Sequence, residues 1–340
     1  MKIAIHERKG SFSDGWIQYC KKNNIEYKLV NCYNYNIIEL LKDCDGLMWH
    51  WDQNDYKAPL FARQLTISLS KMGLEVFPNI DTVWHFDDKL GQKYLLESIN
   101  APYVTTYASY SKKSSLEWAN ETSYPKVFKL RGGASGINVL KVENRKQARR
   151  LIHKAFGNGF SHYNKWIRIK DRFWILRRDK NIKALKSLFS SIFRYFYPTE
   201  VERFSTKEKG YVLFQDFIPN NTYDTRLIIV GNRCFGTRRY CRPDDFRASG
   251  SGLYDNSPDI YNNESIKIAF DIADKLGAQS IAYDFLLQNN KPVICEISYI
   301  YCRDIIANCD GYWDRDLNWH KAEVNAERFI IEDFINNINK

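Results

Sequence analysis

Apolar and polar positions follow two rhythms along the 340-residue chain. In the first hundred residues, short alternating runs take turns with stretches whose apolar positions recur three and four apart. The pattern predicts strands at Lys2–His6, Tyr27–Cys32, Gly46–Trp51 and Glu75–Pro78. Helices fall between them at Ser13–Asn23, Ile37–Cys44 and Pro59–Gly73, the last with Pro in its first turn and Gly at its end. Such a succession implies a small parallel sheet with right-handed crossovers. The first strand is not followed by the Gly-x-Gly-x-x-Gly of a dinucleotide site.

The second rhythm is antiparallel. A helix at Asp87–Asn100 leads to a strand at Tyr103–Tyr107 and a short helix at Ser114–Asn120. Strands Tyr124–Leu130 and Ile137–Val142 flank the Gly-rich turn Arg131–Gly136, and Asn144–Phe156 reads as a helix. Lys165–Gly210 is the least regular stretch, rich in Lys, Arg and aromatic residues. Within it Asn181–Phe196 reads as a basic amphipathic helix. The simplest expectation is that it packs its aromatic side on the protein and solvates its charges. Contact with an anionic membrane or glycolipid, or a basic wall around a phosphorylated substrate, are the other readings. Strands follow at Tyr211–Phe217, Thr225–Val230 and Arg233–Arg239, with a hairpin turn at Gly231-Asn232. A helix spans Asn263–Leu276 and stops at Gly277. A last hairpin pairs Ile281–Gln288 with Pro292–Ser298, and a helix at Glu323–Ile338 closes the chain.

Composition narrows the class. Mean hydropathy is −0.49, and no apolar run is long enough to span a bilayer. The amino terminus has no apolar signal core, so a cytoplasmic protein is expected. The eight cysteines include no Cys-x-x-Cys pair and sit mostly in apolar stretches. They read as buried thiols rather than a disulfide framework or zinc site. The net charge of +10 favours anionic partners such as nucleotides, sugar nucleotides, nucleic acid or an acidic membrane surface, and does not choose among them. Nucleic acid is not the expected partner; a nucleic-acid binder would cluster its basic residues on one face rather than converge them on a cleft.

The last hairpin carries one carboxylate inside each apolar strand, Asp284 and Glu296. With a three-residue loop at Asn289-Asn290-Lys291 these two face each other. A two-residue loop would place them on opposite faces. Opposed carboxylates repel unless a cation or a proton intervenes, and Mg²⁺ shared with phosphate oxygens is the usual solution. Salt bridges to nearby arginines are the other. Upstream, the strand of Pro125–Leu130 delivers Lys129 to the small residues Gly132–Gly136, whose backbone N–H groups can approach phosphate closely. Arginines end or start the intervening strands: Arg226, Arg238 and Arg239, and Arg247 beyond them.

In this order the residues resemble the ATP-grasp superfamily over roughly residues 75–300. Asn79 and Asp88-Lys89 resemble its helix start, and Lys126–Lys129 with Gly132–Gly136 its phosphate strand and loop. Val212–Ile218 resembles its interdomain strand. Asp224-Thr-Arg226, Arg238 and Asp245-Phe-Arg247 are similar to the RimK-like carboxylate–amine ligases. The resemblance implies an α/β ATP-grasp architecture in three parts. These are an N-terminal βαβ domain (1–102), a central lid subdomain with the basic insertion (103–210) and a C-terminal subdomain (211–340), clasping ATP. It implies ATP and Mg²⁺ as cofactors. Lys89, Lys129, Gly132, Gly133, Ser135 and Gly136 would hold phosphates; Gln215, Asp216, Phe217 and Asp224 would hold adenosine. Asp284, Glu296 and Ser298 would hold metal, Ser298 standing where the family usually has Asn. Arg226, Arg238 and Arg247 would stabilise the transferring group. The implied reaction activates a carboxylate as an acyl phosphate and joins it to an amine, forming ADP. A sugar nucleotide or glycan precursor in surface polysaccharide synthesis is the preferred substrate class, with amino acids as rivals. A kinase acting on a hydroxyl, or a nucleotide-binding protein without turnover, fits the same residues. Tyr299–His320 is expected to line the acceptor site or to form a surface loop. His50 and His85 are acid–base candidates by type alone, and a structural role is the simpler reading.

Overall fold

A computed structural model describes residues 1–133, 138–161, 165–197, 200–204, 206–243 and 245–340. The N-terminal part runs β1 (Lys2–His6), α1 (Ser13–Lys22), β2 (Glu26–Val30), α2 (Ile37–Leu40), β3 (Gly46–Met48), α3 (Ala58–Lys71), β4 (Glu75–Phe77), α4 (Ile80–Val83) and α5 (Lys89–Ser98). Its strands form one parallel sheet in the order β2-β1-β3-β4, as the alternation required. Asp88 caps α5 by accepting from Gly91 N.

The central part runs β5 (Thr106–Ser109), α6 (Lys112–Glu121), β6 (Lys126–Phe128), β7 (Leu140–Val142), α7 (Arg145–Ala155), α8 (Lys165–Asp179), α9 (Ile182–Phe196), α10 (Glu200–Phe204) and β8 (Val212–Asp216). Its four-stranded sheet has the order β5-β8-β6-β7. Val212–Asp216 therefore completes the central sheet, although in sequence it stands beside the C-terminal strands. The stretch that reads as least regular contains two long helices, α8 and α9, packed on each other.

The C-terminal part runs β9 (Tyr223–Val230), β10 (Arg233–Tyr240), β11 (Tyr254–Asp255), α11 (Asn263–Leu276), β12 (Ser280–Gln288), β13 (Lys291–Ser298), α12 (Arg303–Ile306), β14 (Gly311–Trp313), β15 (Trp319–Lys321) and α13 (Ala326–Ile338). The main sheet order is β13-β12-β9-β10-β14-β15, with β11 on β10. One hydrophobic cluster joins Ile3, Ile5 and Trp16 to Ile228, Phe235, Phe329 and Phe334. The N-terminal and C-terminal sheets thus share a core, with α13 between them. Tyr299–His320 is not a surface loop. It contributes β14, and Tyr299, Tyr301 and Trp313 are buried. All eight cysteines are unpaired, and five are buried. Burial pushes the Cys20, Cys44 and Cys241 thiols up to about 11 and those of Cys295 and Cys309 to about 12.

Candidate functional site

The final hairpin departs from the expected turn and still opposes its two acids. The turn holds only Asn289 and Asn290, both at positive φ (52° and 63°), so Gln288 faces Lys291. That register alone would set Asp284 opposite Cys295. A β-bulge between Asp284 and Phe285 absorbs Cys295 as an extra residue and restores Asp284 opposite Glu296. The bulge also turns the Cys295 carbonyl toward Lys129 Nζ at 3.4 Å and Gln215 Nε2 at 3.3 Å. These residues line one cavity of about 390 Å³ between the central and C-terminal sheets.

Asp284 is buried and ion-paired. Arg226, its cross-strand neighbour on β9, donates to both its oxygens at 2.6 and 2.8 Å. The Arg239 guanidinium lies 2.7 Å from the same carboxylate and also grips Asp224 through two bonds of 2.7 and 2.6 Å. The result is a continuous chain, Arg226–Asp284–Arg239–Asp224. Burial opposes ionisation of Asp284, but the two guanidinium charges overcome it and hold the carboxyl well below its usual range. Asp224 shares Arg239 and faces the Asp284 charge, so burial prevails and its carboxyl is raised. Glu296 is more accessible, with 31% of its side chain exposed, and pairs with the buried Lys89 Nζ at 3.2 Å. Burial works against the Lys89 charge, and Glu296 and Asp87 outweigh it, so this lysine stays charged.

The start of α5 is tied to the Gly-rich turn. Lys89 Nζ donates to Gly133 O at 2.8 Å, and Gly133 N donates to Asp87 Oδ1 at 2.7 Å. Gly133, at φ 121°, lines the cavity; Gly132 is buried beside it but does not. Ser135 and Gly136 lie outside the described residues. Gln215, Asp216 and Phe217 line the same cavity from β8 and its end. Gln215 is buried, and the Asp216 carboxylate accepts from Lys126. Arg247 reaches the cavity while doubly bonded to Asp245 at 2.9 and 2.7 Å.

One sequence expectation needs correcting. Arg238 does not line this cavity. Strand alternation turns it to the opposite face of β10, where its guanidinium stacks 4.0 Å from the Tyr223 ring, and Arg239 occupies the cavity side instead. Asp224 lines the cavity as expected of a site residue, bound there to Arg239 in the arginine cluster. The signal for Arg239 was present: the two-residue turn Gly231-Asn232 sets it opposite Asp224. Ser298 lines the cavity, while its hydroxyl accepts from Ile300 N (3.0 Å) and donates to Ile300 O (3.2 Å). His50 is buried and stacked on Phe12 with centroids 4.1 Å apart, and His85 is fully buried. Neither lines the cavity.

The donor set suits a divalent cation held together with phosphate. Among the described residues no three His, Cys, Asp or Glu side chains form a metal cage. Magnesium does not ask for one: it is typically held by one or two carboxylates, with substrate phosphates and water completing its shell. Asp284 and Glu296 supply such a pair. The cations now neutralising them, Arg226, Arg239 and Lys89, are equally good phosphate ligands.

Comparisons with known proteins bear on the fold. Residues 198–300 match the family described as RimK-like ATP-grasp domain. Among curated proteins there is no significant match to the sequence. Among solved structures, a RimK domain ATP-grasp protein from Sphaerobacter thermophilus superposes with a TM-score of 0.58 at 15% identity, covering 98% of this chain and 99% of the other. D-alanine–D-alanine ligase from Bacillus anthracis, solved with ATP, gives 0.57 at 11% identity over 100% and 98%. The ATP-grasp ligase PsnB, solved with a minimal precursor, Mg and ADP, gives 0.55 at 9% over 100% and 98%.

Proposed function

We propose that this chain, which has the ATP-grasp fold and a RimK-like ATP-grasp match, is an ADP-forming ligase that joins a carboxylate to an amine. One observation carries the reading. Two in-register carboxylates, Asp284 and Glu296, meet Lys89, Lys129, Arg226 and Arg239 around one cavity beside a Gly-rich turn. Lys89, Lys129 and Gly133 would bind phosphate oxygens, and Gln215, Asp216 and Phe217 the base. Asp284 and Glu296 would hold Mg²⁺, which supplies neutralising charge to the phosphates when bound. On nucleotide binding, Arg226 and Arg239 would exchange carboxylate oxygens for phosphate oxygens. Arg247 would contact the anionic substrate.

In this chemistry a substrate carboxylate oxygen attacks the γ-phosphorus as the bond to ADP breaks. An amine nitrogen then attacks the acyl carbon, phosphate leaves and the amine loses its proton. The protein needs no nucleophile of its own; alignment and preorganised positive charge carry the catalysis. The substrate class proposed is a sugar-linked carboxylate or amine of surface polysaccharide synthesis, with amino acid or peptide extension as the competing class; the net charge of +10 suits either anionic substrate. A second reading, nucleotide binding without turnover, has Ser298 in its favour, because that hydroxyl is already engaged by Ile300.

The test is ADP release with uronic acids and amino acids, each offered with amines or with hydroxylamine, and with Asp284→Asn as control. A hydroxamate, lost in the control, is expected. ADP release that yields a phosphorylated hydroxyl and no hydroxamate would identify a kinase instead. A nucleotide-dependent rise in melting temperature without ADP release would identify the binding protein.

A further inference from the structure

Helix α9 is packed inside out. The face it lays on α8 carries Ala184, Ser187, Leu188, Ser191 and Tyr195, with Ala184 and Ser191 only 4% and 5% exposed. The face it turns to solvent carries Ile182, Leu185, Phe189, Ile192, Phe193 and Phe196. These recur every third or fourth residue, so they form one continuous stripe rather than scattered apolar positions. Phe189 and Phe193 are each 62% exposed and Phe196 is 71% exposed. The sequence expectation that this helix would bury its aromatic side is overturned. The reason is that α8 meets the small-residue face, where two helices can approach closely.

Charge says what covers the stripe. From Lys180 to Tyr197 there is no acidic residue, and Lys180, Lys183, Lys186 and Arg194 are all exposed. The exposed end of α8 adds Arg177. A phenylalanine-rich face flanked by lysine and arginine matches the boundary of an anionic bilayer, where rings enter the acyl region and ammonium groups meet phosphates. A second copy of the chain would bring the same positive charges against this face, and nucleic acid would leave the apolar stripe in water. No helix among the described residues is long and apolar enough to cross a membrane, so the contact is interfacial.

We propose that the α8–α9 hairpin docks this protein on an anionic phospholipid surface through the Ile182–Phe196 stripe. The hairpin is fastened to the catalytic rim: Arg178 Nη1 donates to Ser251 O at 2.5 Å, and the same loop presents Arg247, Ala248 and Ser249 to the cavity. The docking surface stands apart from the ligase reading and is tested without turnover. Co-flotation of the full chain is measured with vesicles of phosphatidylglycerol in phosphatidylcholine and with phosphatidylcholine alone. Binding is expected only to the anionic vesicles and should weaken with salt. Phe189→Ser with Phe193→Ser should lower partition about tenfold or more, at unchanged melting temperature because both rings are exposed. Lys183→Glu with Lys186→Glu should remove the preference for anionic lipid. Absence of flotation by the native chain would overturn the proposal, as would flotation that neither pair of substitutions alters. A dimer seen by light scattering and dissolved by the phenylalanine substitutions, without flotation, would make the stripe a self-association surface instead.

Discussion

Arg238 and Arg239 are adjacent in sequence and lie on opposite faces of one strand, so they separate an arginine that lines the cavity from one turned away from it. Arg239 bridges Asp224 and Asp284 through a planar fork, a geometry that an ammonium group does not reproduce. Arg239→Lys should reduce turnover by about a hundredfold and lower the melting temperature. Arg238→Lys, away from the cavity, should keep turnover within about threefold. Steady-state ADP release with parallel thermal melts checks both. An equal loss in the two variants would show that the cavity face of β10 is misassigned. Removing the Asp284 charge leaves the buried Arg239 and the partly buried Arg226 guanidinium groups short of a partner, at a cost of about 3–5 kcal/mol. The Asp284→Asn control must therefore be read beside a stability measurement.

At the scale of the element, the final hairpin shows how two local departures cancel. The turn is one residue shorter than expected, and the bulge at Cys295 is one residue longer. Asp284 and Glu296 face each other only because both occur together. The sequence signals the hairpin and its two acids, but a bulge leaves little trace in a run such as Val-Ile-Cys-Glu-Ile. The turn itself is testable. Asn289 and Asn290 both lie in the left-handed region, where the second position favours Gly. Asn290→Gly should raise stability by about 0.5–1 kcal/mol without changing activity. Denaturant titration measures it, and destabilisation would argue against this turn. The misjudged face of α9 has a similar origin: periodicity reveals a stripe but not which neighbour takes which side.

For the whole molecule, buried histidines set the acid limit of the fold. His6, His50 and His85 are all buried. Burial, with the charges of Arg8 and Arg63, lowers them to about 4, about 3 and about 4. Their folded pKa values lie below the unfolded value near 6.5, so the folded state binds fewer protons and stability rises with pH. It is fully present above about pH 6.5 and is lost as pH falls toward 4. Three such groups approach roughly 4 kcal/mol per pH unit in that window. Asp224 and Glu327, whose carboxyls are raised mainly by burial, offset part of it. Denaturant midpoints at pH 7.5 and 5.5 should differ strongly, and His85→Gln should flatten the slope. A midpoint independent of pH across this range would contradict the burial of these rings.

The sequence by itself determined the alternation of elements, the parallel N-terminal sheet, the β9–β10 and β12–β13 hairpins and the residue types of the cavity. Those features depend on periodicity, turn chemistry and spacing, which act over a few residues. The tertiary structure decided that Arg239 rather than Arg238 faces the site, that Val212–Asp216 joins the central sheet, that the bulge restores the acid pair and that α9 turns its phenylalanines outward. Each of these depends on which surface packs against which. That choice is made by contacts between residues far apart in the chain, and apart from the turn that pairs Arg239 with Asp224 no local pattern records it.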